Sequence, residues 1–197
     1  RALDVVINGE LLLGDRLLTL RERLLARNLD EGTGEREQRD INDRYLNAVA
    51  DDIILARPMS VAVQGADATA GLAPRLFGEL GCKVVTVEGA DVDALARAVG
   101  EQNLHLGLAF HAGGGLSLVA SDGRLIAADR LLMLLARDLL ERNPGADVLF
   151  NMPDNQALAG LIRQQGGRPV MEEGGPARIR ARMKELAVPL AGEANGH

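Results

Sequence analysis

The residues of this chain that come closest to forming a reactive site lie in the loop 111–116, His111-Ala112-Gly113-Gly114-Gly115-Leu116. An apolar run over 106–110 precedes the loop, and a second apolar run begins at Leu116. Open α/β sheets bind their ligands in loops that follow the carboxyl end of a strand. This loop contains no acidic residue, and its single candidate metal ligand is the imidazole of His111. It therefore has the position of a binding site without the side chains of a catalytic one.

The chemistry open to this loop follows from its residue types. Mg²⁺ is normally held by at least one carboxylate, whereas an imidazole such as that of His111 suits zinc or nickel. The loop contains no second histidine and no cysteine, so we predict that it holds no metal. The backbone N–H groups of Gly113, Gly114 and Gly115 could bind an anion. A flexible loop that binds nothing is the alternative, and the composition favours it.

The elements that position the loop are indicated by hydrophobic periodicity. From Ser60 onward, short apolar runs typical of strands alternate with segments of helical spacing. This order predicts an α/β fold with mainly parallel sheets and helices on both faces. Before residue 60 we predict a strand over 3–7, a helix over 15–27, a polar linker over 30–40 and a helix over 41–56.

Charge and composition argue against several classes of partner. The 197-residue chain has a net charge of −6 with its basic residues spread along it, which argues against nucleic acid. No apolar run approaches the length of a membrane span, so we expect no membrane contact by this chain. Cys82 is the only cysteine, which excludes a disulfide framework and favours a reducing compartment, the cytoplasm.

Several segments of the chain resemble one enzyme family. They are HAGGGL (111–116), DRLLMLLARDLLERNPGADVLF (129–150), GGRPVM (166–171) and GEANGH (192–197). Together they are similar to the α-D-phosphohexomutases, in particular the bacterial phosphomannomutase/phosphoglucomutase branch. That family has D-G-D-G-D-R at the loop, where three aspartates hold Mg²⁺. The resemblance places His111, Gly113 and Gly115 at those aspartates, so it implies a degenerate member without the family's metal site.

The segment GEANGH resembles the family's sugar-recognition loop, G-E-x-S-G-H. The resemblance implies residual substrate binding by Glu193, Asn195 and His197, together with the loop glycines Gly113, Gly114 and Gly115. The alternative for Glu193 is an ordinary solvated residue at the end of a strand. The basic residues Arg178, Arg180, Arg182 and Lys184 have helical spacing. We interpret them as a solvated face, with a phosphate clamp as the alternative.

The resemblance also implies a domain organisation. Residues 1–29 are similar to the strand–helix end of the family's first domain, and residues 30–40 are a linker. Residues 41–121 resemble domain 2, and residues 122–197 resemble domain 3, which we expect to be incomplete here. Each of the two larger segments is expected to form a small three-layer α/β/α unit. We expect a homodimer or a larger parent protein as the context of the chain.

These observations favour a phosphohexomutase-derived module that is catalytically inactive on its own and has a structural or regulatory role. No residue is assigned a catalytic role, and no cofactor is expected, although the family uses Mg²⁺. Two alternatives stay open: weak binding of a hexose phosphate, and a part of an active phosphohexose isomerase in carbohydrate metabolism. In the second alternative the activity would be the family's intramolecular phosphotransfer.

Overall fold

The computed structural model describes residues 5–8, 10–30, 32–65, 69–112, 114–152 and 155–197. The chain divides into two compact units, Arg1–Asp40 and Ile41–His197. The further boundary that the sequence suggests between residues 121 and 122 stays a prediction. No helix in the described ranges is long and apolar enough to cross a membrane.

The smaller unit contains a short hairpin and one helix. Strand β1 (Val6–Ile7) pairs in antiparallel fashion with β2 (Glu10–Leu11), and helix α1 (Gly14–Leu25) follows. The predicted helix is present, but β2 was missed because two paired residues leave no periodic pattern in the sequence. None of the described residues of α1 is buried.

The larger unit begins with a five-stranded sheet in the order β4-β3-β5-β6-β7. β3, β4 and β5 are parallel, while β6 and β7 form an antiparallel extension after β5. The strands are β3 (Ser60–Gly65), β4 (Lys83–Thr86), β5 (Leu106–Phe110), β6 (Leu116–Ala120) and β7 (Leu125–Ile126). The helices that accompany them are α2 (Asn42–Ala50), α3 (Thr69–Glu79) and α4 (Val92–Glu101).

Successive side chains of a strand point to opposite sides of the sheet. The strands of this sheet carry apolar residues on both sides, and helices cover both faces. On one face, Leu95 and Val99 of α4 pack onto small or branched residues of the strands. On the other face, Ala73 of α3 packs against Val61 and Val63 of β3. Helix, sheet and helix therefore form three layers.

A second, three-stranded sheet has the order β10-β8-β9 and is parallel throughout. Its strands are β8 (Asp147–Asn151), β9 (Arg168–Met171) and β10 (Leu190–Glu193). Its helices are α5 (Ala128–Arg142), α6 (Gln156–Gln164) and α7 (Pro176–Leu186). Helices α5 and α6 bury one face, where Phe150 lies in the core, and Ile179 of α7 packs on the other face. The predicted α/β class, with two three-layer arrangements and mainly parallel sheets, is confirmed.

The helix predicted over 41–56 is shorter than expected. α2 ends at Ala50, and the N–H of Ile53 donates to the Ala50 carbonyl across a turn at 3.0 Å. Ile53 and Ile54 continue the apolar spacing of the helix, but they are exposed at 42% and 94%. Without burial to stabilise it, that spacing does not extend the helix.

Candidate functional site

The polar residues of interest lie at the carboxyl ends of strands in both sheets. His111 follows β5 directly, Asn151 is the last residue of β8, and Glu193 is the last residue of β10. β8 and β10 are neighbours, and Glu193 stands opposite Asn151 in their register. Parallel strands bring their carboxyl ends to one edge, which is where ligands bind in α/β sheets.

His111 contacts Ser117, a residue that the sequence analysis did not identify. Its Nε2 lies 2.7 Å from the hydroxyl oxygen of Ser117. Ser117 is opposite Ala109 across the β5–β6 hairpin, so its side chain lies on the same face of the sheet as that of His111. The sequence signal for this contact was a histidine and a serine six positions apart, on the two sides of a tight hairpin.

A serine–histidine contact can indicate a nucleophile and its base. The chain contains a second such contact, in which Nδ1 of His105 lies 2.7 Å from the hydroxyl oxygen of Ser60. There the same nitrogen also accepts the backbone N–H of Ser60 at 3.0 Å, which connects the starts of two strands. Since this second contact serves the packing of the sheet, the hydrogen bond alone does not make Ser117 a nucleophile.

The predicted glycine loop and the predicted sugar-recognition loop lie side by side. The N–H of Leu116 donates to the carbonyl of Gly196 at 3.1 Å. A Cβ placed on Gly115 would lie 3.0 Å from the backbone oxygen of Asn195, and one placed on Gly114 would lie 3.5 Å from Cε1 of His197. The structure thus brings together every predicted site residue that it describes, and Gly113 lies outside the described residues.

The 192–197 loop is itself a closed turn. The N–H of Glu193 donates to the carbonyl of His197 at 2.8 Å, and the N–H of Gly196 donates to the carbonyl of Glu193 at 3.0 Å. The side chain of Asn195 accepts the N–H of His197 at 3.3 Å. The backbone of Glu193 is therefore fixed by β10 on one side and by this turn on the other.

Glu193 is buried, which contradicts the alternative that it is a solvated residue. Only 4% of it is exposed, and its Oε2 has no hydrogen-bond partner in the described structure. Its Oε1 lies 3.5 Å from the amide nitrogen of Asn151, which also donates to the carbonyl of Gly174 at 2.5 Å. The sequence analysis did not identify Asn151, although a polar residue at the end of a buried apolar run was the available signal.

The donor set at the 111–116 loop does not fit the Mg²⁺ that the family uses. Its described residues offer one imidazole and backbone groups, whereas Mg²⁺ requires oxygen ligands in near-octahedral geometry. No group of three or more His, Cys, Asp or Glu side chains with metal-ligand spacing occurs among the described residues.

Two basic residues of α7, Arg178 and Arg182, form ion pairs. Arg178 donates to a carboxylate oxygen of Glu172 at 2.7 Å, and Arg182 pairs with Glu185 at 2.7 Å. The hydrogen bond to Glu185 raises the pKa of Arg182 above its ordinary value. Arg178 is largely exposed, with 69% of its side chain accessible. For Arg178 these contacts support the solvated face rather than a phosphate clamp.

Comparisons with known proteins agree on one family. Residues 127–197 match the family model described as phosphoglucomutase/phosphomannomutase, alpha/beta/alpha domain III. The phosphomannomutase/phosphoglucomutase of Pseudomonas aeruginosa is 39% identical over 211 residues, which cover 98% of this chain and 46% of that protein. The phosphoglucomutase of Neisseria meningitidis serogroup A is 34% identical over 183 residues, which cover 83% of this chain and 40% of that protein.

A solved structure gives the same result in three dimensions. The crystal structure of a phosphoglucomutase/phosphomannomutase family protein from Burkholderia thailandensis matches with a TM-score of 0.91 and 33% identity. The match covers 98% of this chain and 46% of that structure. The chain thus spans about half the length of the relatives that it matches.

Proposed function

Since the chain belongs to the α-D-phosphohexomutase family, we propose that it is a module that binds the hydroxyl groups of a hexose phosphate without catalysing phosphoryl transfer. The observation that carries this proposal is the carboxylate of Glu193: the residue is 4% exposed, and its Oε2 has no hydrogen-bond partner among the described residues. The relatives are named for phosphohexose conversions, and the proposal assigns only the recognition of the sugar to this chain.

The chemistry of that carboxylate selects the ligand. An ionised carboxylate only accepts hydrogen bonds, and leaving a buried acceptor unsatisfied costs about 1–3 kcal/mol. Each sugar hydroxyl is a donor, so a sugar that reaches this carboxylate offsets the cost. Asn151 adds an amide next to Oε1 of Glu193. Its two N–H bonds are directed to the Gly174 carbonyl and to Oε1, so the group that it offers to a sugar hydroxyl is its acceptor oxygen, Oδ1.

The absence of catalysis is proposed from the residues at the family's functional positions. Phosphoryl transfer needs a cation against the phosphate charge, a nucleophilic oxygen and a general acid or base. His111 and Gly115 stand where the family has two of its metal aspartates, and they cannot replace those carboxylates. Pro153, which lies outside the described residues, stands where the family has its acid/base lysine and has no proton to transfer.

Thermal unfolding with added glucose 1-phosphate or mannose 1-phosphate, each with and without Mg²⁺, tests the proposal. A ligand present at ten times its Kd stabilises the folded state by about 1.4 kcal/mol. For a domain of this size we expect Tm to rise by about 3–6 °C, equally with and without Mg²⁺. No rise at millimolar ligand would contradict binding, and a rise only with Mg²⁺ would contradict the metal-free site.

Glu193→Gln should abolish the ligand-dependent rise, because the amide replaces one acceptor oxygen by a donor. Glu173→Gln is the matched control, since Glu173 is an exposed acidic residue of the same unit. A coupled mutase assay at high protein concentration should give no turnover above the blank. Turnover by the purified chain would refute the proposed lack of catalysis, even if the sugar binds.

A further inference from the structure

We infer that Gly115 and Gly196 are positioning residues that hold the sugar-recognition loop, and with it Glu193, in place. This inference rests on the proposed function only for the identity of the ligand. The contacts from which it is argued are all within the protein. In this inference the 111–116 loop supports the neighbouring loop, whereas the resemblance implies that the same loop binds metal in the family. This supporting role also differs from the flexible loop that the composition favours.

The two loops are packed backbone to backbone. A Cβ on Gly196 would overlap the carbonyl oxygen of Leu116, and Gly196 has a φ of +84°, a region that L-residues rarely adopt. From the other side, a Cβ on Gly115 would lie 3.0 Å from the backbone oxygen of Asn195. A glycine on each loop is therefore what allows the main chains to approach this closely.

A chain of hydrogen bonds connects this contact to Glu193. The N–H of Leu116 donates to the carbonyl of Gly196, and the N–H of Gly196 donates to the carbonyl of Glu193. Displacing the 192–197 loop from the 111–116 loop breaks the first bond and loosens the second. Binding sites tolerate misplacement of about 0.5 Å, so a small displacement is enough to weaken recognition.

Hydrogen exchange of the full chain tests the inference without any ligand. Gly115→Ala and Gly196→Ala should raise the exchange rates of the amides at positions 193 and 196 about tenfold or more, which corresponds to loss of about one hydrogen bond. Amides of α4 and α5 should exchange as in the wild type, which shows that the fold is intact. Gly160→Ala is the control, because a Cβ there meets nothing within 4 Å. Gly115→Ala is the milder change, and it keeps the test valid if Gly196→Ala does not fold.

Affinity for mannose 1-phosphate should fall about tenfold or more in Gly115→Ala and stay unchanged in Gly160→Ala. Unchanged exchange at positions 193 and 196 in Gly115→Ala would overturn the inference, whatever the affinity. If the wild type binds no sugar phosphate, the proposed function fails, and the exchange rates alone still decide whether the two glycines position the loop. Wild-type affinity together with faster exchange in Gly115→Ala would also overturn it, since position would then not matter for binding.

Discussion

Replacing Glu193 by glutamine should make the ligand-free protein more stable. The carboxylate is buried, its Oε2 has no partner in the part of the chain that the structure describes, and the amide nitrogen of Asn151 lies 3.5 Å from Oε1. A charged group in such surroundings is unfavourable, because removal from water is not compensated by hydrogen bonds. Glutamine keeps the shape and one carbonyl oxygen while it removes the charge.

The expected size of the effect follows from the cost of one unsatisfied buried group, about 1–3 kcal/mol. The amide of glutamine brings its own donors, which also need partners, so we take the lower end, about 1 kcal/mol. For a domain of 150–250 residues this corresponds to a rise in Tm of about 2–4 °C. The same variant loses the stabilisation by sugar phosphate, so the two effects of Glu193→Gln have opposite signs.

Differential scanning calorimetry and urea unfolding measure this change, and the midpoint should shift without a change in the slope m. Glu173→Gln removes an exposed acidic charge of the same unit and should change Tm by no more than about 1–2 °C. A lower Tm for Glu193→Gln would refute the reasoning, because it would mean that the carboxylate is held by favourable contacts in the free protein.

Three other outcomes follow from packing and burial. Leu95→Ala creates a cavity in the core beneath α4, where Leu95 is 0% exposed, and should destabilise the protein by about 2–5 kcal/mol in urea unfolding. Leu134 is 63% exposed, so Leu134→Ala should destabilise the protein far less. Asn155→Ala removes the side chain that accepts the N–H of Leu158 in the first turn of α6 and should cost about 0.5–2 kcal/mol by the same measurement. A neutral result would contradict this capping role. Burial raises the pKa of the Cys82 thiol, so iodoacetamide at pH 8 should alkylate the native chain more slowly than the urea-unfolded chain, and equal rates would contradict the shift.

The order of strands and helices could be predicted because each element of the larger unit buries a face. α4 and α6 carry apolar residues at helical spacing and capping residues at their starts, Asp91 and Asn155, and the structure confirms both helices. The same rule failed where burial is lacking. Exposed Ile53 and Ile54 suggested more helix than the chain forms, and β2 is too short to leave a pattern.

Individual residues of the site could be predicted from the sequence, but their spatial arrangement could not. Resemblance indicated Glu193 and the loop glycines, but their contact joins segments about eighty residues apart, and no local pattern encodes it. The burial of Glu193 depends on its pairing with Asn151 in the sheet, and this register is a tertiary property. The position of Ser117 beside His111 depends on the tightness of one hairpin.

The two loops of the site differ in how their residues affect the stability of the folded state. Gly115 accompanies a close backbone contact and Gly114 has a φ of +97°, so packing and backbone conformation are sufficient to explain both glycines. Packing alone is not sufficient for Glu193, because an uncompensated buried carboxylate lowers stability and an amide or a leucine would fit the strand end at less cost. Residues that reduce stability in this way are typical of binding sites, where the partner that satisfies them is the ligand. The stability of Glu193→Gln and its affinity for sugar phosphate therefore test one and the same argument, and they must change in opposite directions if it holds.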